Sequence, residues 1–263
     1  MSFMGNLYGR YAYFRHIGGR MEQAKKFYLK GLEKGMDKPK YLSGCGVAML
    51  RLGDFELAKE MFQKTLAHPK TPEAHKNANR LNLAVTLWKL GEIDASLTLF
   101  HQLEEDYPSA AVYGSLGYVL LDIGREEEAL QYNLKRLEEY DETDPVMLDT
   151  VGQIYYRRGE LDKAKEYFSE AVKIKNNLVD SLYYLGILEQ RDGNIRRARA
   201  MLSRASRQHI STLNTVTREM VEEKFKELDE LYDALPPEEK EAQAPKSAPK
   251  AQTHSDPTQK LKF

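Results

Sequence analysis

Cysteine, tryptophan and net charge are what this 263-residue chain has least of. A single cysteine, Cys45, excludes an internal disulfide framework and fits a reducing compartment. The 39 Lys and Arg against 40 Asp and Glu leave a formal charge of −1, without the basic excess that nucleic-acid binding calls for. No stretch approaches the ~20 consecutive apolar residues needed to span a bilayer. The opening MSFMGNLYGRYAYFRHIGGR spreads Tyr, Arg and Gly through its length and lacks the apolar core of a secretion signal. These absences predict a cytoplasmic protein with no membrane partner.

Clustered reactive groups are also missing. His16, His68, His75, His101, His209 and His254 are scattered, and no pair has the i, i+4 spacing of a helical zinc motif. Cys45 has no companion cysteine and precedes a small residue inside a helical segment, the setting of a buried thiol. Gly44-Cys45-Gly46 lacks the strand and the Gly-Lys-Ser/Thr of a phosphate loop. The expectation is a non-catalytic protein with no metal and no cofactor.

What is present is a period. Gly19, Gly53, Gly91, Gly124, Gly159 and Gly193 are separated by 34, 38, 33, 35 and 34 residues. Each lies between two runs of helical periodicity, so each predicts a turn joining two helices, where glycine accepts a left-handed conformation. Seven residues before these glycines stand Ala12, Gly46, Ala84, Gly117, Gly152 and Gly186. Five after come Ala24, Ala58, Ser96, Ala129, Ala164 and Ala198, and nine after come Tyr28, Phe62, Phe100, Asn133, Phe168 and Leu202. Small residues let two helices approach, and the larger side chain fills the space against them. Pro39, Pro72, Pro108 and Pro145 mark the joins between hairpins.

This pattern resembles the tetratricopeptide repeat (TPR). The resemblance implies an all-α, right-handed α-solenoid of about six helix-turn-helix hairpins, at 5–38, 39–72, 77–109, 110–144, 145–178 and 179–211. Three departures stand out. The family's tryptophan is replaced by Tyr8, Leu42, Arg80, Tyr113, Leu148 and Leu182. Asn133 and Arg136 predict looser packing in the fourth hairpin, and Glu73 to Lys76 read as four extra residues in a loop.

A solenoid end needs a lid. Residues 212–235 fit a capping helix, with Val221, Phe225, Leu228, Tyr232 and Leu235 on one face and a largely acidic opposite face. Arg196, Arg197, Arg199, Arg204 and Arg207 on the preceding helix would complement that acid. Residues 236–263, rich in Pro, Lys and Ala, read as a disordered tail.

The resemblance further implies that the first helices line a concave face that binds partners. Counting back from the turn glycines selects Tyr13, Val47, Val85, Trp88, Tyr118, Leu121, Gln153, Tyr156 and Tyr183 as candidate partner-binding residues. Their aromatic and aliphatic character predicts an apolar peptide or helix of another protein as ligand. The family's chaperone carboxylate clamp needs a Lys–Asn pair four apart. The matching positions hold Gly9/Tyr13, Ser43/Val47, Leu81/Val85, Gly114/Tyr118, Asp149/Gln153 and Tyr183/Ile187, so that ligand is disfavoured. Occupation of the groove by the chain's own C-terminal part, self-association, and nucleic-acid binding through the arginine-rich sixth repeat remain as alternatives.

Overall fold

The computed structural model describes residues 2–139 and 144–243, and among them there are fourteen α-helices and no strand. Six antiparallel hairpins follow one another: α1 (Phe3–Ile17) with α2 (Met21–Glu33), α3 (Pro39–Leu52) with α4 (Phe55–Ala67), α5 (Glu73–Lys89) with α6 (Ile93–Asp106). Then come α7 (Ala110–Asp122) with α8 (Glu126–Glu139), α9 (Pro145–Arg157) with α10 (Leu161–Ile174), and α11 (Val179–Arg191) with α12 (Ile195–Ser206). Helices α13 (Arg218–Ala234) and α14 (Pro237–Ala242) end the described chain. Successive odd-numbered helices from α1 to α11 pack on one another and form one layer, making the chain an all-α solenoid. No described helix is long and apolar enough to cross a membrane.

All six turn glycines have positive φ; Gly53 at +82° accompanies a main-chain bond from Asp54 N to the Met49 carbonyl (2.9 Å) that closes the end of α3. The notches are equally explicit. A Cβ placed on Gly152 would stand 2.8 Å from the Phe168 ring, and one on Gly46 would stand 2.7 Å from Phe62. Pro39 and Pro145 occupy first helical turns, where their missing N–H leaves no bond unmade.

Three expectations are corrected. Glu73 to Lys76 do not lengthen a loop; they form the first turn of α5, which is 17 residues long against 13 to 15 in the other odd-numbered helices of the layer. Four residues are close to one 3.6-residue turn, so they extend the helix with little change of phase. The fourth hairpin is, as expected, the least closely packed of the six: Asn133 fills the Gly117 notch with its Oδ1 unpaired among the described residues, while Arg136 lies 4.5 Å from the Tyr113 ring centroid and pairs with Glu104 (3.0 Å). The capping helix starts at Arg218 rather than 212, because Thr217 caps it by accepting from Met220 N (3.2 Å). Finally, part of the presumed tail is helical: α14 is anchored by Arg196 N donating to Gln243 Oε1 (2.9 Å). The rest of that tail, 244–263, lies outside the described residues.

Helix α13 buries Val221 and Leu228 in a cluster with Ala198, Leu202 and Ala205 of α12. Charge complementarity between the two helices is thin. Arg199 pairs with Asp229, but Arg197 turns to Glu189 (3.3 Å) and Arg204 to the Asn176 carbonyl (2.8 Å). Packing, more than charge, seats the cap.

Candidate functional site

The link between α12 and α13, residues 207–217, does not follow the outside of the solenoid; it crosses the face of the odd-numbered helices as a strap. Thr212 Oγ1 donates to the Leu50 carbonyl of α3 (3.0 Å). Leu213 packs against the clusters of both α3 and α5. The Thr215 hydroxyl meets Tyr118 Oη of α7 (2.8 Å) and donates to Gln153 Oε1 of α9 (3.1 Å). On α11, Asp180 accepts from Asn214 Nδ2 and from Val216 N, both at 2.9 Å.

These contacts establish the curvature. From Thr212 to Val216 the chain spans at most about 15 Å, at ~3.5 Å per residue. Five helices stacked flat at 8–10 Å would spread over roughly 35 Å. One short segment reaches α3, α7, α9 and α11 only because the layer curls inward, so the strap lies in a concave groove.

Its seat is polar and acidic. Asp149 of α9 is buried, accepts from Gln153 Nε2 (2.7 Å) and is held by the Ser181 hydroxyl. Burial first, then the nearby Asp180 charge, pushes the Asp149 carboxyl above its usual range, and burial raises Asp180 likewise. The Tyr118 phenol is also pushed up, chiefly by burial. Beside the strap remains a cavity of about 320 Å³ walled by Val85, Trp88, Tyr118, Asp149, Asp180 and Leu213.

The other half of the groove is open. A cavity of about 580 Å³ lies between α1, α3 and the start of α5, walled by Tyr13, His16, Val47, His75 and Asn79 with Lys40 at its side. Lys40 Nζ sits 4.5 Å from the Tyr13 ring centroid. Burial, then the Arg51 charge, lowers the His16 pKa and so favours its neutral form. Among the described residues no Asp or Glu lines this cavity. Asn79 is 2% exposed; its Nδ2 donates to the His75 carbonyl (2.7 Å), while Oδ1 has no hydrogen-bond partner among the described residues.

The nine candidate residues therefore fall in three places. Tyr13 and Val47 wall the open cavity. Val85, Trp88, Tyr118 and Gln153 lie at the strap, and Gln153 is only 1% exposed. Tyr156 and Tyr183 are half-buried against Tyr184, with centroids 4.8 and 5.6 Å away. Leu121, 1% exposed, belongs to the buried core cluster that includes Leu120 and Ile154 and is not available to a ligand. The reading from spacing missed His75, Asn79 and Asp180. For His75 and Asn79 a signal existed in the 38-residue interval between Gly53 and Gly91, which supplies the extra turn of α5.

Among the described residues no group of three or more His, Cys, Asp or Glu gathers as a metal site. Cys45 is buried, and burial first, then Asp54 and Glu60, pushes its thiol up to about 12, away from reactive thiolate.

Comparison with known proteins gives a consistent picture. Residues 81–142 and 148–178 match models of the tetratricopeptide repeat. The TPR repeat-containing protein MJ1428 of Methanocaldococcus jannaschii is 27% identical over 155 residues, covering 59% of this chain and 27% of that protein. The human tetratricopeptide repeat protein 13 is 27% identical over 184 residues, covering 66% of this chain and 20% of its own length. The chain thus spans about a quarter of these curated relatives. A tetratricopeptide repeat protein from Parabacteroides merdae superposes with a TM-score of 0.66 at 13% identity, over 86% of this chain and 84% of that one.

Proposed function

Because the chain is a tetratricopeptide-repeat protein, we propose that it is a non-catalytic scaffold holding an extended segment of a partner protein along its concave face. Proteins of this repeat generally mediate protein–protein interaction. The observation that carries the reading is the strap. An irregular stretch of chain is gripped in this groove through side-chain bonds from α7, α9 and α11 and one main-chain carbonyl of α3. Such a groove has the donors, acceptors and apolar slots that an extended peptide requires.

The test is site-specific photo-crosslinking in cells. A photoreactive residue at Tyr13 should capture a defined partner, and one at the exposed Glu105 of α6 should not. Equal capture at both positions, or none at Tyr13, would overturn the reading.

A second reading, self-association, has its own observation. Phe3 (79% exposed), Leu7, Tyr11, Phe14 and Ile17 (62%) form an apolar row on the outside of α1. Light scattering of wild type against a Phe14→Asp/Ile17→Asp variant decides it, since a mass that rises with concentration in wild type alone would support this reading.

A further inference from the structure

The groove has two halves of opposite chemistry, and only one is covered. The covered half presents Asp149 and Asp180, and the strap on it contains no Asp or Glu between residues 207 and 217. The open half presents Lys40, His16 and His75 and no lining carboxylate. Lys38, Lys70 and His68 line the adjoining surface next to Lys40, where Asp37 is the one carboxylate among them. The far wall of the open half is the additional turn of α5, which brings in His75 and positions Asn79. At about 580 Å³ the cavity is within the usual ~300–1,000 Å³ of a ligand site.

We propose that this open half is the docking site for an extended segment of another protein that carries acidic residues beside an apolar one. The acidic groups meet Lys40 and His75 at the rim, and the apolar side chain lies against Tyr13 and Val47. The inference rests on the scaffold reading and adds to it a location and a ligand chemistry. Charge selects against the chain's own C-terminus as occupant: residues 244–263 carry Lys246, Lys250, Lys260 and Lys262 against Asp256 alone. The strap is excluded too, since Asp180, Gln153 and Tyr118 already hold it in the other half.

The experiment selects short randomised peptides displayed on phage against the full chain, then measures synthetic copies of the enriched peptides by fluorescence anisotropy. The proteins compared are wild type, Lys40→Glu/His75→Glu, and Glu105→Lys on α6 as a control. Lys40, His75 and Glu105 are exposed, and circular dichroism checks that each variant folds. The expected peptides combine acidic residues with an aromatic or aliphatic one. Their affinity should fall by about tenfold or more in Lys40→Glu/His75→Glu, weaken with salt, and stay unchanged in Glu105→Lys. Neutral or basic peptides, or peptides that bind the groove variant as well as wild type, would overturn the location and chemistry while leaving the scaffold reading in place. No enrichment over a bare surface would overturn both.

Discussion

Two buried side chains at the hairpin interfaces show how far single residues set the energetics here. Asn133 occupies the place that Phe62, Phe168 and Leu202 hold in other hairpins, and its Oδ1 has no partner among the described residues. Asn133→Leu, of similar branching, removes that orphan acceptor and should raise stability by about 1 kcal/mol in urea titration. A midpoint that falls instead would mean that the amide has a role the packing does not reveal. Gly46 gives the opposite case. Its alanine variant would press a methyl into the Phe62 ring and should be destabilising by about 1–3 kcal/mol. Asp149 predicts a pH effect. Its carboxyl is raised in the folded state, so folding takes up a proton, and the stabilisation is full at low pH and fades as pH rises from ~4 towards the raised value. Wild type should therefore gain stability relative to Asp149→Asn between pH 7 and pH 5. His16, whose pKa is lowered, acts in the opposite direction, but both proteins share it and the difference cancels its contribution. Parallel pH profiles for the two proteins would refute the assignment.

At the scale of elements, the hairpins were legible and their additions were not. Turn glycines, notches and helix-starting prolines each obey a local rule, so spacing alone located α1 to α12. The extra turn of α5 was readable as an interval of 38 residues, and the EAHK that fills it behind Pro72 consists mostly of strong helix formers, so local propensity favoured helix over the loop that repeat spacing suggested. The strap was invisible to periodicity. Thr212, Thr215 and Val216 are β-branched, and helix propensity argues only weakly against them. What holds them extended is Asp180, Gln153 and Tyr118, which lie 36, 62 and 97 residues away from their partners in the strap. No local pattern carries such pairings, so spacing alone shows Gln153 in an open groove where Thr215 of the strap covers it. The cap is more orthodox. Leu228 is fully buried on α12, and Leu228→Ala should be destabilising by about 2–4 kcal/mol in thermal or chemical melts. A loss below about 0.5 kcal/mol would show that α13 does not stabilise the end of the solenoid.

For the molecule as a whole, a linear array of repeats unfolds by steps because each unit touches only its neighbours. Here Thr212 reaches Leu50, 162 residues away, so the sixth hairpin is tied directly to the second. Denaturation should accordingly follow one transition in wild type and separate into two when Leu213→Ala and Asp180→Asn loosen the strap. Hydrogen exchange read along the chain would show which hairpins open first, and two transitions already present in wild type would contradict the tie. The strap also has a mechanical meaning. A superhelix with a free inner face stretches like a spring, by small changes of angle at every hairpin. One laced across that face between its second and sixth turns cannot lengthen there until the lace slips. Force applied at the two ends would then be carried first by the Thr212, Thr215 and Asp180 bonds, and the first hairpin, outside the lace, would be the compliant part.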